Sequence, residues 1–415
     1  MDHKNTKKLK ILSIETSCDE TAISVLEVSE NAELATFEIL ADKLVSQIDI
    51  HREFGGVFPA VAKREHAKAI FPLFVSVLTD SKLLSNGTTQ ITDEQAEIVR
   101  SLFTHEQELC ELFLKEISQL DKPNIDCIAV TTGPGLEPAL WVGVNFARAL
   151  SYIWDIPIVP VNHMEGHLMS VIAQQSGSTF SSAKIEFPAL SLLVSGGHTE
   201  LVLVRDWMEY EKIGQTKDDA VGEAFDKVAR ILGLPYPGGP EIAKIASEER
   251  EKEAGGKNPP DFSLQLPRPM IHSGDYNFSY SGLKTAVLYA VRDIGKLEDV
   301  HIRAIALEFE NSAIEVLIKK TMRAVDEFGI RTLMIGGGVA NNSHLQNELK
   351  KAIEKYNSSI ALYFPRKDFS TDNSLMIGVA GYYQFLKNNP ISPDGERTKK
   401  GANVFDVRAN GNWSL

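Results

Sequence analysis

The sequence predicts an α/β protein with mixed sheets, built from two related halves. Three observations predict it. Strand-like and helix-like segments alternate along the chain, one hairpin pattern occurs twice, and glycine turns follow apolar strand-like runs. The repeated pattern is LSIETSCDETAISVL at 12–26 and LSLLVSGGHTELVLV at 190–204, with Leu, Ser, Ser and Thr at matching places. In each copy apolar runs flank a small, polar centre, as in two strands joined by a tight turn. Two such turns facing one another would hold a phosphate chain.

The elements follow in order. Residues 11–28 read as a strand pair, with a third strand near 37–46. Gly55, Gly56 and Pro59 interrupt the chain before a helix near Val61. A polar, partly helical excursion occupies about 80–120, containing SNGTTQ and TDEQAEIV. A buried strand at 125–131 enters the turn TGPGLEP, an apolar helix runs to Leu150, and a strand covers 156–161.

In the second half the hairpin spans 187–204, helical material covers 218–233, and PYPGGP turns the chain at 235–240. Residues 250–275 are rich in charge, Gly and Pro and read as a long loop. Ile302, Ala306, Phe309, Ala313 and Val316 have the spacing of an amphipathic helix that Gly329 ends. A strand at 331–335, a turn at 336–338 and a helix from Asn342 complete the pattern, and the chain beyond Asn388 reads as irregular.

With 415 residues, 43% of them hydrophobic, the chain is long enough for two or three domains with sizeable cores. No run reaches the roughly 18 apolar residues of a membrane span, and MDHKNTKKLK carries no apolar signal region. Cys18, Cys110 and Cys127 form no CxxC, which suits a reducing compartment. The net charge of −13 argues mildly against nucleic acid as a sole partner.

Three groups of residues carry chemistry. His163 and His167, in VNHMEGHL, share one face if the segment is helical. Such a pair serves equally as a metal platform or as a hydrogen-bonded pair. It is not HExxH, because Glu165 sits at the wrong offset. Asp372 is the candidate third ligand, although an Asp in a Thr-Asp-Asn turn more often caps a helix. The second group is the glycine turns at 195–197, 238–239 and 336–338, whose amides can cradle an anion. None fits GxxxxGK[ST] or GxGxxG. The third group is acidic: Asp19 and Glu20 in the first hairpin turn, and Asp218, Asp219, Glu223 and Asp226, of which some belong to a solvated helix face.

The ordered blocks SIETSCDET, GGVFPAVAKREH, TTGPGL, NHMEGH, LLVSGGHT, DDAVGEAFDK, YPGGP, FSYSGLKTA, GGGVANN and STDNSLMIG together resemble the bacterial TsaD (Gcp) family of tRNA N6-adenosine threonylcarbamoyltransferases, over about 10–385. The resemblance implies the two-domain actin-like ATPase (ASKHA) fold with duplicated mixed-sheet subdomains. The expected division is a first subdomain at 10–160 with an insertion at about 80–110, a second at 161–388 carrying the metal and nucleotide motifs, and an irregular tail at 389–415. It also implies transfer of a threonylcarbamoyl group from threonylcarbamoyl-AMP to N6 of the adenosine beside the anticodon. Carried over, His163, His167 and Asp372 match the metal ligands, and Leu193, Val194, Ser195, Gly196, Gly197, Asp226, Gly239 and Asn342 match the adenylate-binding residues. Asp19 and Glu20 are candidates for the catalytic proton acceptor.

The implied ion is Fe2+, with Zn2+ or Mn2+ as alternatives, and the implied nucleotide is ATP or threonylcarbamoyl-AMP. The implied partners are tRNA, a TsaB-like related subunit and a TsaE-like small P-loop ATPase in the cytoplasm, with no membrane. The chain departs from the family pattern at Ala60, in place of Glu, and at Pro138, in place of Gly. The rival readings are a metallopeptidase of the glycoprotease type, a small-molecule kinase of the same fold, and a non-catalytic scaffold.

Overall fold

The computed structural model describes residues 8–30, 35–174, 178–255, 262–366, 369, 371–389 and 400–415. They form two compact units, residues 1–184 with 372–415, and residues 185–371.

In the first unit β1 (Lys8–Glu15), β2 (Glu20–Glu30) and β3 (Ala35–Ser46) form an antiparallel meander. Then come α1 (Ile48–Arg52), α2 (Pro59–Asp80), α3 (Asp93–Leu102) and α4 (Gln107–Ile117). β4 (Cys127–Gly133) pairs parallel to β1, α5 (Glu137–Trp154) follows, and β5 (Ile158–Asn162) pairs parallel to β4. The short α6 (His163–Ser170) and strands β6 (Ala173–Gln174) and β7 (Thr179–Ser182) complete this stretch. All seven residues of β4 are buried, as expected of a central parallel strand with both faces covered.

The second unit repeats the plan. β8 (Ala189–Val194), β9 (Thr199–Asp206) and β10 (Glu209–Gln215) are antiparallel. α7 (Val221–Ile231), α8 (Gly238–Ala254), α9 (Ser281–Ile294) and α10 (Asp299–Glu327) precede β11 (Thr332–Gly336). A 3-10 turn (Gly338–Asn341) and α11 (Ser343–Tyr356) lead to β12 (Ala361–Tyr363), and β11 runs parallel to both β8 and β12. The five-stranded order β10-β9-β8-β11-β12 matches the order β3-β2-β1-β4-β5 within the seven-stranded sheet. The duplicated hairpin is thus the visible part of a duplicated five-strand sheet.

The last helix, α12 (Ser374–Asn388), returns to the first unit and packs on β1, β2, β4 and β5. Glycine permits that approach. A Cβ at Gly381 would lie 2.4 Å from Ala129 Cβ, and one at Gly378 would lie 2.6 Å from Leu26 Cδ1. Gly166 does the same for α6 against α12, where a Cβ would lie 2.9 Å from Ile377 Cδ1.

Several expectations need correction. The division falls at 184/185 rather than 160/161, and residues 372–415 rejoin the first unit, so His163, His167 and Asp372 belong to the first unit, not the second. The PYPGGP turn opens α8, and α9 and the short strands β10 and β12 were not anticipated. β10 is a half-exposed edge strand whose polar sequence lacks an apolar run. Part of the expected 250–275 loop, 256–261, and part of the expected tail, 390–399, lie outside the described residues. The described tail, 400–415, is irregular but packed, with Val407 and Ala409 buried in the first unit's core. Pro138 leaves the glycine loop intact because it enters the first turn of α5, where no intrahelical N–H is needed. Among the described residues no helix is long and apolar enough to cross a membrane.

Candidate metal centre and nucleotide turns

Asn162 starts α6. Its Oδ1 accepts from the amides of Met164 (2.9 Å) and Glu165 (3.3 Å), which places His163 at the first helical position. His163 and His167 then stand one turn apart, ring centroids 4.6 Å from each other, and both rings are buried. Asp372 comes to them from the entrance of α12. It is not the cap: Asn373 takes that role, accepting from the Met376 amide at 2.9 Å, and leaves the Asp372 carboxylate free for other work. Asp372 Oδ1 lies 3.4 Å from His163 Nε2 and 3.1 Å from His167 Nε2, and one candidate ligand atom from each of the three residues lies within 4.8 Å of the others.

Behind His163 is a carboxylate that the sequence reading did not single out. Glu15, fully buried at the end of β1, places Oε2 3.2 Å from His163 Nδ1. Thr131 Oγ1 donates to the same oxygen at 2.5 Å, and the Ser17 amide donates to Oε1 at 2.5 Å. Ser17 Oγ is also 3.2 Å from His163 Nδ1. The available signal was a lone charge inside the apolar run ILSIETS, which a half-buried hairpin does not require.

Burial opposes charge at each of these groups. At His163 the Asp372 and Glu15 carboxylates outweigh it and hold the imidazole pKa well above its ordinary value. At Asp372 burial is outweighed by His163 and then His167, so its pKa lies well below the carboxylate range. Glu15 is lowered too, because His163 overcomes the effect of burial. Glu20 goes the other way, pushed up to about 10 by burial, then by Asp372 and Asp19. Asp19 is buried in the same β1–β2 turn, and its carbonyl accepts from the Gln47 amide at 2.9 Å. His66 braces that turn from α2, with Nδ1 2.7 Å from Thr21 Oγ1 and Nε2 3.0 Å from the Cys18 carbonyl.

The donor set fits a divalent transition metal. His167 is wholly buried, and apart from Asp372 Oδ1 beside Nε2 its ring nitrogens have no hydrogen-bond partner, a costly state for a buried polar group. Two imidazoles and one carboxylate suit Fe2+, Zn2+ or Mn2+. Glu165, by contrast, is engaged by Gln384 Nε2 at 2.9 and 3.2 Å. It is therefore not poised as the base of a zinc peptidase.

In the second unit the candidate nucleotide residues fall at the ends of β8 and β11 and the starts of helices. Leu193 and Val194 are wholly buried strand residues, so only Ser195, Gly196 and Gly197 of that stretch have exposed surface. The turn is closed by Ser195, whose N donates to the His198 carbonyl at 2.9 Å and whose Oγ accepts from the His198 amide at 3.1 Å. A Cβ at Gly337 would lie 2.4 Å from the Val194 carbonyl oxygen, and one at Gly222 would lie 2.6 Å from that of Ser195. These two glycines bring the loop after β11 and the start of α7 against the β8 end. Open space lies around the Cβ positions of Gly196, Gly197 and Gly338, leaving backbone that a ligand can approach.

Asp226 accepts from the Gly238 amide at 2.7 Å and the Gly239 amide at 3.4 Å through one oxygen, tying α7 to the start of α8. Burial raises its pKa. Asn342 caps α11 through Oδ1 (Leu345 amide, 2.9 Å) and donates through Nδ2 to the buried Glu310 at 2.6 Å. Glu310 is paired with Arg250 at 2.6 Å. Asp218 and Asp219 do structural work. Asp218 accepts from Ser279, Tyr280 and Ser281 at the start of α9, and Asp219 pairs with Lys227 and Lys284.

Comparison with known proteins adds a second line. The family model for TsaD, tRNA N6-adenosine threonylcarbamoyltransferase, matches residues 38–92 and 104–379. The unmatched 93–103, within the stretch read as an insertion, correspond to α3 and the residue after it, a helix with its own Thr92/Gln95 capping box. A protein of Staphylococcus carnosus named tRNA N6-adenosine threonylcarbamoyltransferase is 38% identical over 381 residues, 92% of each chain. One of Thermosipho africanus with the same name is 38% identical over 384 residues, 92% of this chain and 96% of that one. In fold, the chain is similar to full-length HypF in its phosphate- and nucleotide-bound form. That match has a TM-score of 0.50 and 12% identity, and covers 92% of this chain and 47% of that one.

Proposed function

This chain belongs to the TsaD family of tRNA N6-adenosine threonylcarbamoyltransferases and is an enzyme with the two-domain actin-like fold, and we propose that it takes the threonylcarbamoyl group from threonylcarbamoyl-AMP with a divalent metal ion at His163, His167 and Asp372. The observation that carries the metal assignment is the convergence of two imidazole Nε2 atoms on Asp372 Oδ1, with His167 otherwise unbonded. Held there, Fe2+, or Zn2+ or Mn2+, would supply Lewis-acid charge to the threonylcarbamoyl oxygens.

The remaining work falls to the chain. Adenosine N6 attacks the carbamoyl carbon and a C–N bond forms. The bond from that carbon to the phosphate oxygen breaks, and AMP leaves with the electron pair. N6 loses a proton, for which Asp19 and Glu20 at the β1–β2 turn are the candidate acceptors. Because N6 is a weak nucleophile, alignment contributes more than basicity. The backbone at Gly196, Gly197 and Gly338, with open space around each Cβ position, would bind the adenylate together with Gly239, Asp226 and Asn342. The substrate tRNA, a TsaB-like subunit and a TsaE-like ATPase are the partners of this reading, in the cytoplasm.

The engagement of Glu165 by Gln384 supports a transferase over a metallopeptidase, and a kinase of this fold would leave the paired imidazoles without a task. The test mixes the purified chain with a threonylcarbamoyl-adenylate synthase, threonine, bicarbonate, ATP and tRNA, with and without the two partner proteins. Nucleoside mass spectrometry reads the product. Threonylcarbamoyladenosine should form, and His163→Ala and Asp372→Asn should lower its rate at least about a hundredfold. Full product formation by both variants would overturn the metal assignment.

A further inference from the structure

Residues 400–415 follow a defined path over the first unit. Ala402 pairs with Ile158 on β5, donating its amide at 2.9 Å. Arg148 Nε donates to the Val404 carbonyl at 2.8 Å, and Val407 and Ala409 are buried. Beyond these anchors, residues 410–415 reach the supports of the metal-ligand helix from two directions.

The first route passes through the loop between β4 and α5. The Asn410 amide donates to the Thr132 carbonyl at 2.7 Å, and the Gly135 amide donates to the Gly411 carbonyl at 3.2 Å, so the loop is gripped on both sides of Pro134. The fit is close: a Cβ at Gly133 would fall 1.9 Å from the Asn410 carbonyl oxygen. The other flank of the same loop lies on the β1–β2 turn, where the Leu136 amide donates to the Ser17 carbonyl at 2.7 Å. Ser17 in turn meets His163 Nδ1. The second route is shorter. Asn162 Nδ2 donates to the Trp413 carbonyl at 3.4 Å, while Asn162 Oδ1 caps α6. An amide tethered at one end presents its other end to the helix in one orientation. The segment keeps its own form through the Asn412 amide to Asn410 Oδ1 and the Trp413 amide to the Asn410 carbonyl, both 3.1 Å.

We propose that residues 410–415 are a positioning clasp for α6, setting His163 and His167 through Asn162 and through the 132–136 loop. The inference rests on the reading of these imidazoles as metal ligands. Outer contacts of this kind orient ligands and tune affinity, and their loss typically costs tenfold or more.

The test compares the full chain with a chain ending at Ala409, which retains the buried anchors, and with Asn162→Ser, which keeps a capping oxygen but loses the donor to Trp413. Two quantities are read: Co2+ affinity from its visible absorption, and hydrogen exchange of the α6 amides. The clasp predicts about tenfold weaker Co2+ binding and faster exchange confined to α6 and residues 132–136 in both variants. Combining the two changes should add little. Unchanged exchange at α6 in the shortened chain would overturn the clasp, as would loss of protection spread evenly over the sheet. Failure of the full chain itself to bind Co2+ would instead overturn the metal reading, and exchange alone would then decide the clasp.

Discussion

Glu15 Oε2 sits 3.2 Å from His163 Nδ1, on the opposite side of the ring from Asp372. The imidazole is therefore held between two carboxylates, with Nε2 turned toward the candidate ion and Nδ1 fixed from behind. Replacing Glu15 by Gln keeps the shape and removes the charge. We expect a folded protein with Co2+ affinity lowered about tenfold to a hundredfold, read by titration in visible absorption. Unaltered affinity would show that the rear carboxylate does not orient the ring.

The close contact of α12 with β4 predicts a reversal of the usual glycine rule. Alanine in a helix interior normally gains up to about 1 kcal/mol over glycine. At Gly381 the new Cβ would lie 2.4 Å from Ala129 Cβ, and overpacking costs about 1–3 kcal/mol. Gly381→Ala should thus destabilise the first unit in urea denaturation and, by displacing α12, weaken Co2+ binding at Asp372. Gly282→Ala is the control: it lies in α9 with open space around its Cβ position, and should be neutral or stabilising.

Asn342 joins the α11 cap to the Glu310–Arg250 pair. Asn342→Ala removes the cap and leaves Glu310 one donor short, a loss of about 1–3 kcal/mol. Asn342→Ser should recover the cap but not the donor, and fall between the two. Urea denaturation monitors stability. Titration with a fluorescent AMP analogue reports whether nucleotide affinity falls in step with the lost amide, as the proposed binding role requires.

His344, in the first turn of α11, supplies a pH dependence. Burial, and then Arg250, push its pKa down to about 4 from 6.5. Its unfolded form binds a proton more readily than its folded form, so its stability contribution is present above pH 6.5 and is lost as pH falls toward 4. Partial exposure limits the effect to about 1 kcal/mol. His344→Gln should flatten the urea midpoint between pH 7 and 4.5 relative to the parent, and an unchanged slope would reject the assignment.

The sequence alone determined the α/β class, both hairpins, the buried strand leading into TTGPGL, the long amphipathic helix, the paired histidines and the family, because each is written in spacings of a few residues or in contiguous blocks. Tertiary structure decided the rest. Asp372 reaches His163 only because Gly166, Gly378 and Gly381 let α6 and α12 pack closely on each other and on the sheet. Glu15 meets His163 because β1, β4 and β5 run parallel in one sheet and end near the same place. Asp218 and Asp219, grouped with the acidic candidates, are engaged by α9 and by lysines, and the irregular tail packs beside the start of α6. Those outcomes depend on contacts between residues far apart in the chain, and no local periodicity encodes them.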